Sequence, residues 1–332
     1  MMPPARLREN ARSLIGRFSL ALALLAAPAA ADTISLAFPV DCTLGQDCFL
    51  QQFPDRDPGP GARDYACGPQ SYDGHTGTDI RLADFEAMAE GYAVIAAAPG
   101  TVFAARDGLA DGGLATATQD RGCGNAVILD HAGGWRTAYC HLAQGSVTVR
   151  VGDIVETGTP LGLIGYSGLT EFPHVDFQVL RDGALVDPFN PTDLATCATQ
   201  APQLWADPID HAAGGVMRVG FAGAVPSFAD IRQGDADQAR LPVDAGALVL
   251  WAYLHSPRAG DALSLRVTDA DGQEVMAHSL TMDATQAQAF RAFGRRMPDG
   301  GWPVGLYRGE VVMTRDGTVI GRRTGRVIVT GD

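Results

Sequence analysis

The feature that most constrains the fold is the way glycine cuts the middle of the chain into short extended runs. Between about Ser71 and Pro191 these runs are Tyr92–Ala98, Gly100–Ala105, Asn125–Asp130, Trp135–His141, Val147–Val151 and His174–Leu180. They are rich in β-branched and aromatic residues, and none is long enough for an ordinary helix. Asp182-Gly183 marks a tight turn into Ala184–Val186, because these residues readily adopt the left-handed conformations of two-residue hairpins. Helical periodicity is confined to Leu82–Glu90. The segment before it, residues 32–70, reads as loop, with Asp55-Arg56-Asp57-Pro58-Gly59-Pro60-Gly61 as a solvated turn.

A second series of strands follows residue 201. Ala247–Leu254, Leu263–Thr268, Val275–Leu280, Leu306–Met313, Thr318–Gly321 and Arg326–Thr330 are separated in part by Asp271-Gly272 and Asp316-Gly317 turns. Short strands at this spacing imply a β-sandwich of immunoglobulin-like type. The fold class is therefore all-β, in two domains, 32–200 and 201–332. The first carries the chemistry. In the second, His211, His255 and His278 are scattered without ligand spacing and read as structural or surface residues.

Residues 1–31 read as a secretory signal. Arg6, Arg8, Arg12 and Arg17 precede the apolar run Phe18 to Ala31, and Ala29-Ala30-Ala31 supplies a small-residue cleavage site. The run is shorter than the roughly 20 residues that span a bilayer, so no stable membrane insertion is expected after cleavage. The location expected is the periplasm or the medium. With Glu9, the signal holds a net +3, so its removal takes the formal charge from −13 to −16. Such a chain is poorly suited to nucleic acid, whose binding rests on neutralising phosphates.

The six cysteines, Cys42, Cys48, Cys67, Cys123, Cys140 and Cys197, form no C-x-x-C pair. An even count in an exported chain favours disulfides. One pairing is arguable from the pattern. Gly124–Asp130 and Trp135–His141, joined by His131-Ala132-Gly133-Gly134, form a hairpin that brings Cys123 toward Cys140. His131, in that turn, is expected to be structural.

Four segments concentrate chemistry: Gly74-His75-Thr76-Gly77-Thr78-Asp79, Thr137-Ala138-Tyr139-Cys140-His141-Leu142, Gly162-Leu163-Ile164-Gly165-Tyr166-Ser167-Gly168 and Pro173-His174-Val175-Asp176-Phe177. In an extended strand, residues an even number apart share a face. His174 and Asp176 then project together, with Val175 and Phe177 on the opposite face. His75 and Asp79 share a face if that segment is extended. His141 is expected on the face of Tyr139, with Cys140 pointing away. Catalytic zinc commonly takes three protein ligands from His and carboxylates and leaves one position open. His75, Asp79 and Asp176 are candidate ligands, and His141 and His174 remain for proton transfer and oxyanion binding. No H-E-x-x-H helix is present.

Taken together, the four segments resemble the lysostaphin-type metallopeptidases, over roughly residues 71–191. The resemblance implies an antiparallel β-sheet domain with its site in a groove, zinc as cofactor and peptidoglycan peptides as substrate. It implies that His75 and Asp79 are ligands from an H-x-x-x-D motif, and that His141, in a Tyr-x-His-Leu segment, assists catalysis. The closing family motif is Pro-His-x-His-Phe, giving a catalytic His and then the third ligand; here Asp176 stands at the ligand His. Carboxylate is a legitimate zinc ligand. Two Asp ligands cancel the ion's formal charge, which weakens it as a Lewis acid and implies a looser site, tolerant of Mn²⁺ or other harder ions. The same departure leaves a second reading, a peptidase-like module that binds peptidoglycan or regulates other wall hydrolases.

Overall fold

A computed structural model describes residues 33–192, 196–199, 201–211 and 213–331. The signal-peptide expectation for residues 1–31 lies outside the described residues. In chain order the first strands are β1 (Cys48–Gln52), β2 (Thr78–Leu82), β3 (Ala93–Ile95), β4 (Gly100–Arg106), β5 (Asn125–Asp130), β6 (Trp135–Leu142), β7 (Ile154–Val155), β8 (Pro160–Leu163), β9 (His174–Arg181) and β10 (Ala184–Leu185). One short helix, α1 (Phe85–Glu90), follows β2, capped by the Asp84 carboxylate accepting from Ala87 N–H and ended by left-handed Gly91.

Eight of these strands form one antiparallel sheet in the order β1-β2-β9-β6-β5-β4-β7, with β10 paired to β9, while β3 and β8 form a separate pair. The core side of the sheet is built by period-two alternation. Ile80, Val127, Leu129, Tyr139, Val175, Phe177 and Val179 are all buried in one cluster. The strand expected over Val147–Val151 does not form. Val147 and Val149 still pack on the core, but Asp107 and Asp153 carboxylates accept from Val147 and Arg150 N–H, and Gly152 turns the chain at φ 93°.

The expected solvated turn at residues 55–61 is also corrected. Its tip is exposed, but Arg56 is buried and pairs with buried Asp187 at 3.0 Å. Arg56 also donates to the carbonyls of Asn190 and Thr196. Breaking a buried pair of this kind strands a charge, at a cost of about 3–5 kcal/mol. Disulfides join Cys42–Cys48, Cys67–Cys197 and Cys123–Cys140, the last as the hairpin argument expects.

Beyond residue 213 come β11 (Gly215–Ala222), α2 (Phe228–Gln233), β12 (Arg240–Pro242), β13 (Ala247–His255), β14 (Ala262–Thr268), β15 (Glu274–Thr281), β16 (Gln288–Arg296), β17 (Gly305–Arg315) and β18 (Thr318–Thr330). They form a three-stranded sheet, β11-β13-β16, and a five-stranded sheet, β12-β18-β17-β14-β15. The segments Thr318–Gly321 and Arg326–Thr330 are one continuous strand rather than two, and β12 pairs with it in parallel. The two sheets share a core, with Leu248, Leu250, Leu265, Val267, Val311 and Val327 among its members. The other face of β13 is buried too. Trp251 and Tyr253 pack with Phe49 of β1 and Ile231 of α2, which explains the unbroken apolar run of this strand.

The two halves of the chain also meet through polar contacts. Buried Arg81 donates to Gln51 Oε1 at 2.9 Å and to Tyr253 Oη at 3.1 Å, and Arg218 pairs with Asp84 and Glu86. Among the described residues, no helix is long and apolar enough to cross a membrane.

Candidate metal centre and catalytic cleft

The β2–β9 register sets Asp79 opposite Asp176 and Arg81 opposite His174. Directly opposed residues of an antiparallel pair lie on the same face, so these four project together, away from the core face of Ile80, Val175 and Phe177. His75 reaches them differently from the extended segment expected. It lies in a turn, after Gly74 at φ 76°, with its N–H donating to the Tyr72 carbonyl at 3.0 Å. The Asp55 loop fixes that turn. Asp55 N–H donates to the His75 carbonyl at 2.8 Å, and the Asp55 carboxylate accepts from Gly74 N–H at 3.0 Å.

His75, Asp79 and Asp176 are all buried, and each offers a ligand atom within 4.8 Å of the other two. On these residues His75 Nε2, Asp79 Oδ1 and Asp176 Oδ1 are buried and make no well-formed hydrogen bond. Buried polar atoms without partners are uncommon and call for an unseen occupant or a functional role. One imidazole nitrogen and two carboxylate oxygens suit a divalent ion such as Zn²⁺. The donor set therefore fits the metal expected from the sequence. Backbone chemistry makes room for it: a Cβ on Gly77 would stand 1.6 Å from Asp176 Oδ1.

The charges of the cluster are strongly perturbed. Burial opposes ionisation of Asp79, but the neighbouring imidazoles of His75 and His174 hold its carboxyl well below the usual range. Burial and then the Asp79 charge push Asp176 upward. Burial disfavours the charged forms of His75 and His174, but Asp79, helped by Asp176 and other neighbours, raises both. His174 Nε2 lies 3.4 Å from Asp79 Oδ1, and His75 Nε2 lies 3.3 Å from it.

His141 corrects the face assigned from alternation. Tyr139 stands opposite Phe177 and Cys140 opposite Asp176, so Tyr139 belongs to the core face and Cys140 to the site face. His141 then departs from regular strand geometry at φ 64°, which turns its ring to 4.6 Å from that of His174. A left-handed residue with a side chain carries strain of about 1–2 kcal/mol and persists where the surroundings over-determine it. Those surroundings are Cys123, whose carbonyl accepts from His141 N–H at 2.8 Å, and Ser167, whose carbonyl accepts from His141 Nδ1–H at 2.7 Å. Ser167 Oγ and Asn125 Nδ2 both donate to the next carbonyl, that of Leu142. The glycine-rich run is thus a close backbone contact as well as a turn, because a Cβ on Gly165 would meet Ala143 N at 2.2 Å.

His141 is driven down to about 3 by burial and by His174, so it is neutral at neutral pH, with Nδ1–H engaged and Nε2 free to accept a proton. The His174 ring is held at Nδ1 by the Phe172 carbonyl at 2.9 Å and by Thr170 Oγ1 at 3.0 Å. Asp79, His141, His174 and Asp176 line one cleft of about 260 Å³, together with Tyr72 and Glu171. Tyr72 was not legible as a site residue from its sequence position. Its ring lies 4.4 Å from that of His75; the residue is 51% exposed, and partial burial with the Asp79 and Asp176 charges pushes its phenol upward, so it stays an O–H donor beside the cleft. His131 is structural, as expected, its ring nitrogens 2.8 Å from Pro99 O and from Thr137 Oγ1. His255 is buried against Phe49, and His211 and His278 stack on Phe53 and Phe293, all outside the cleft.

Residues 73–188, which contain His75, Asp79, His141, His174 and Asp176, match the sequence model of Peptidase family M23. The chain carries an M23 domain, of the lysostaphin type. Within and around it the chain is similar to the cell division protein DipM of Caulobacter vibrioides, 37% identical over 87 residues, 26% of this chain and 14% of that protein. It is also similar to the DD-carboxypeptidase/endopeptidase Mpg of Neisseria meningitidis serogroup B, 33% identical over 98 residues, 28% of this chain and 21% of that one. The chain therefore spans about a seventh to a fifth of these relatives' lengths. Among solved structures, the catalytic domain of lysostaphin from Staphylococcus simulans aligns at 25% identity and a TM-score of 0.27, covering 40% of this chain and 87% of that one. The match takes in β2 to β10 and the histidines and aspartates of the cleft; β1, Tyr72 and the residues beyond 188 lie outside it.

Proposed function

We propose that this chain is an exported metalloendopeptidase acting on the peptide bonds of bacterial cell-wall peptidoglycan, with residues 1–31 as its signal, 32–200 as the peptidase unit and 201–332 as an accessory sandwich of immunoglobulin-like type. The observation that carries the reading is the set of three buried donor atoms on His75, Asp79 and Asp176 that make no well-formed hydrogen bond, beside a cleft lined by Asp79, Asp176 and two further imidazoles, His141 and His174. Those three residues would hold the ion, which when bound supplies Lewis acidity toward a carbonyl and a water of lowered pKa. The protein's own part in the reaction is proton handling and positioning. His141 Nε2 accepts a proton from the attacking water. In the imidazolium form that Asp79 favours, His174 keeps Nδ1–H on the Phe172 carbonyl and donates Nε2–H toward the oxygen that gains charge, and the Tyr72 phenol is a second donor at the same mouth. The ring orientations needed are set by Ser167, Phe172 and Thr170. The peptidoglycan substrate is supported by the resemblance to the lysostaphin-type family, and the export by the signal-like leader.

The test is digestion of purified peptidoglycan by the mature protein, with and without chelator, following release of peptide amines. Chelator-sensitive release that returns with Zn²⁺ or Mn²⁺ is expected. No release under any metal supplement would sink the peptidase reading. A second reading rests on Asp176 in the place of a ligand His: a catalytically weak or inactive module that binds the wall or regulates other hydrolases. Metal-free protein that still sediments with peptidoglycan would favour it.

A further inference from the structure

A carboxylate in a ligand position has a freedom that an imidazole lacks: either oxygen, or both together, can bind an ion. Asp79 is steadied between two rings, with His75 Nε2 and His174 Nε2 at 3.3 and 3.4 Å from its Oδ1. Asp176 is flanked differently. Its neighbours across the sheet are Asp79 on β2 and Cys140 on β6. The first is a like charge, and the second is tied to Cys123 and has no S–H to donate. Among the described residues, the one hydrogen bond to the Asp176 carboxylate comes from Gln178, whose Nε2 donates to Oδ2 at 2.8 Å. Oδ1 is buried and makes no well-formed hydrogen bond. The two oxygens of this carboxylate therefore stand in different surroundings.

The strand itself places Gln178 for this contact. Along β9, His174, Asp176 and Gln178 alternate with Val175, Phe177 and Val179, which are buried in the core, so Gln178 follows Asp176 on the site face. Both of its flanks are small. Ala138 stands opposite it on β6, and a Cβ on Gly77 would lie 3.1 Å from its Cγ. The side chain is thus free to lie along its own strand and reach the carboxylate two residues earlier. Chemistry fixes the direction of the amide, because only its NH₂ group can donate to an ionised carboxylate.

We infer that Gln178 is a positioning residue for the metal centre: its amide occupies Asp176 Oδ2 and presents Oδ1 alone to the ion. This deepens the metallopeptidase reading and rests on it for the presence of the ion. Residue 178 then governs which ions the two-carboxylate site accepts. A one-oxygen carboxylate suits four-coordinate Zn²⁺. A carboxylate free to close with both oxygens suits Mn²⁺, which takes more oxygen ligands.

The test compares the full mature chain with Gln178→Met, which keeps the length and bulk of the side chain and removes the donor. Affinities for Zn²⁺ and, separately, Mn²⁺ are measured by competition titration, with melting curves to report folding. Gln178→Met should bind Zn²⁺ about 10–100-fold more weakly and lose less affinity for Mn²⁺, so that the ratio of the two falls by about tenfold. Loading with Co²⁺ adds a spectroscopic signature: the strong visible bands of a four-coordinate ion in the wild type should weaken in the variant as Asp176 closes with both oxygens. Gln178→Ala should behave in the same way, and it decides if Gln178→Met does not fold. A folded variant whose zinc affinity stays within about threefold of wild type overturns the role of Gln178 and leaves the metal centre standing. A parallel loss of both ions with an unchanged cobalt spectrum also overturns it, because that is the mark of a generally loosened site. Wild-type protein that takes up no zinc removes the metal centre and this role with it.

Discussion

Replacing Gly77 with alanine tests the metal centre through a single methyl group. Gly77 has no left-handed backbone to lose, so the effect of the new side chain is steric. Its Cβ would stand 1.6 Å from Asp176 Oδ1, 2.8 Å from Asp176 Cγ and 3.1 Å from Gln178 Cγ. Ordinary non-bonded contact lies near 3.5 Å, so the carboxylate must retreat by about 2 Å. The cheapest relief is rotation of the Asp176 side chain away from His75 and Asp79. Zinc–oxygen bonds are about 2.0–2.2 Å long, so such a retreat removes the third ligand. Disturbing a mere supporting contact of a metal ligand already costs about 10–100-fold in affinity, and loss of the ligand should cost at least about a hundredfold. Competition with a chromophoric zinc chelator measures this directly, and a melting curve shows whether the variant is folded. Gly183→Ala is the control, because Gly183 sits at φ 82° with open space around it. It should lose about 1–2 kcal/mol of stability through its left-handed backbone and keep its zinc. Folded Gly77→Ala with zinc affinity within threefold of wild type would refute the placement of Asp176 among the ligands.

Three further outcomes are expected. Asp176→His restores a net positive charge to a bound Zn²⁺, so zinc occupancy and peptide hydrolysis should rise together; an unchanged, already full wild-type site would show that Asp176 needs no help. His141→Ala and His174→Ala should each lower kcat by about 10²–10⁴ while zinc content stays the same, and metal loss from either would reassign that residue as a ligand. The double variant Cys123→Ser/Cys140→Ser opens a loop of sequence separation 17, which should cost about 3 kcal/mol in urea unfolding and reduce turnover, since the Cys123 carbonyl holds His141; a loss below about 1 kcal/mol would contradict it.

What could be read from sequence was the part governed by local periodicity. His174 and Asp176 share a face because β9 is regular, and the opposition of Asp79 to Asp176 follows once β2 pairs with it. His141 escaped the same logic. Nothing in its neighbours' pattern signals the left-handed backbone that moves it from the Tyr139 face to the site. Arg56 was misjudged because its partner, Asp187, is 131 residues away, and long-range ion pairs leave no local trace. Val147–Val151 has strand-like alternation and packs its valines on the core, yet carboxylates of Asp107 and Asp153 take two of the N–H groups a ladder needs. Strand β16 was missed for the opposite reason: only Ala289 is buried along it, so its alternation is faint and its pairing comes from β13.

The central claim is that His75, Asp79 and Asp176 grip one divalent ion. Metal analysis of the purified mature protein, after zinc loading and removal of free ion, tests it most directly when run beside Asp79→Ala. The account predicts about one zinc per chain in the wild type and almost none in the variant. Wild-type protein that stays metal-free, or a folded variant as fully loaded as the wild type, would contradict it.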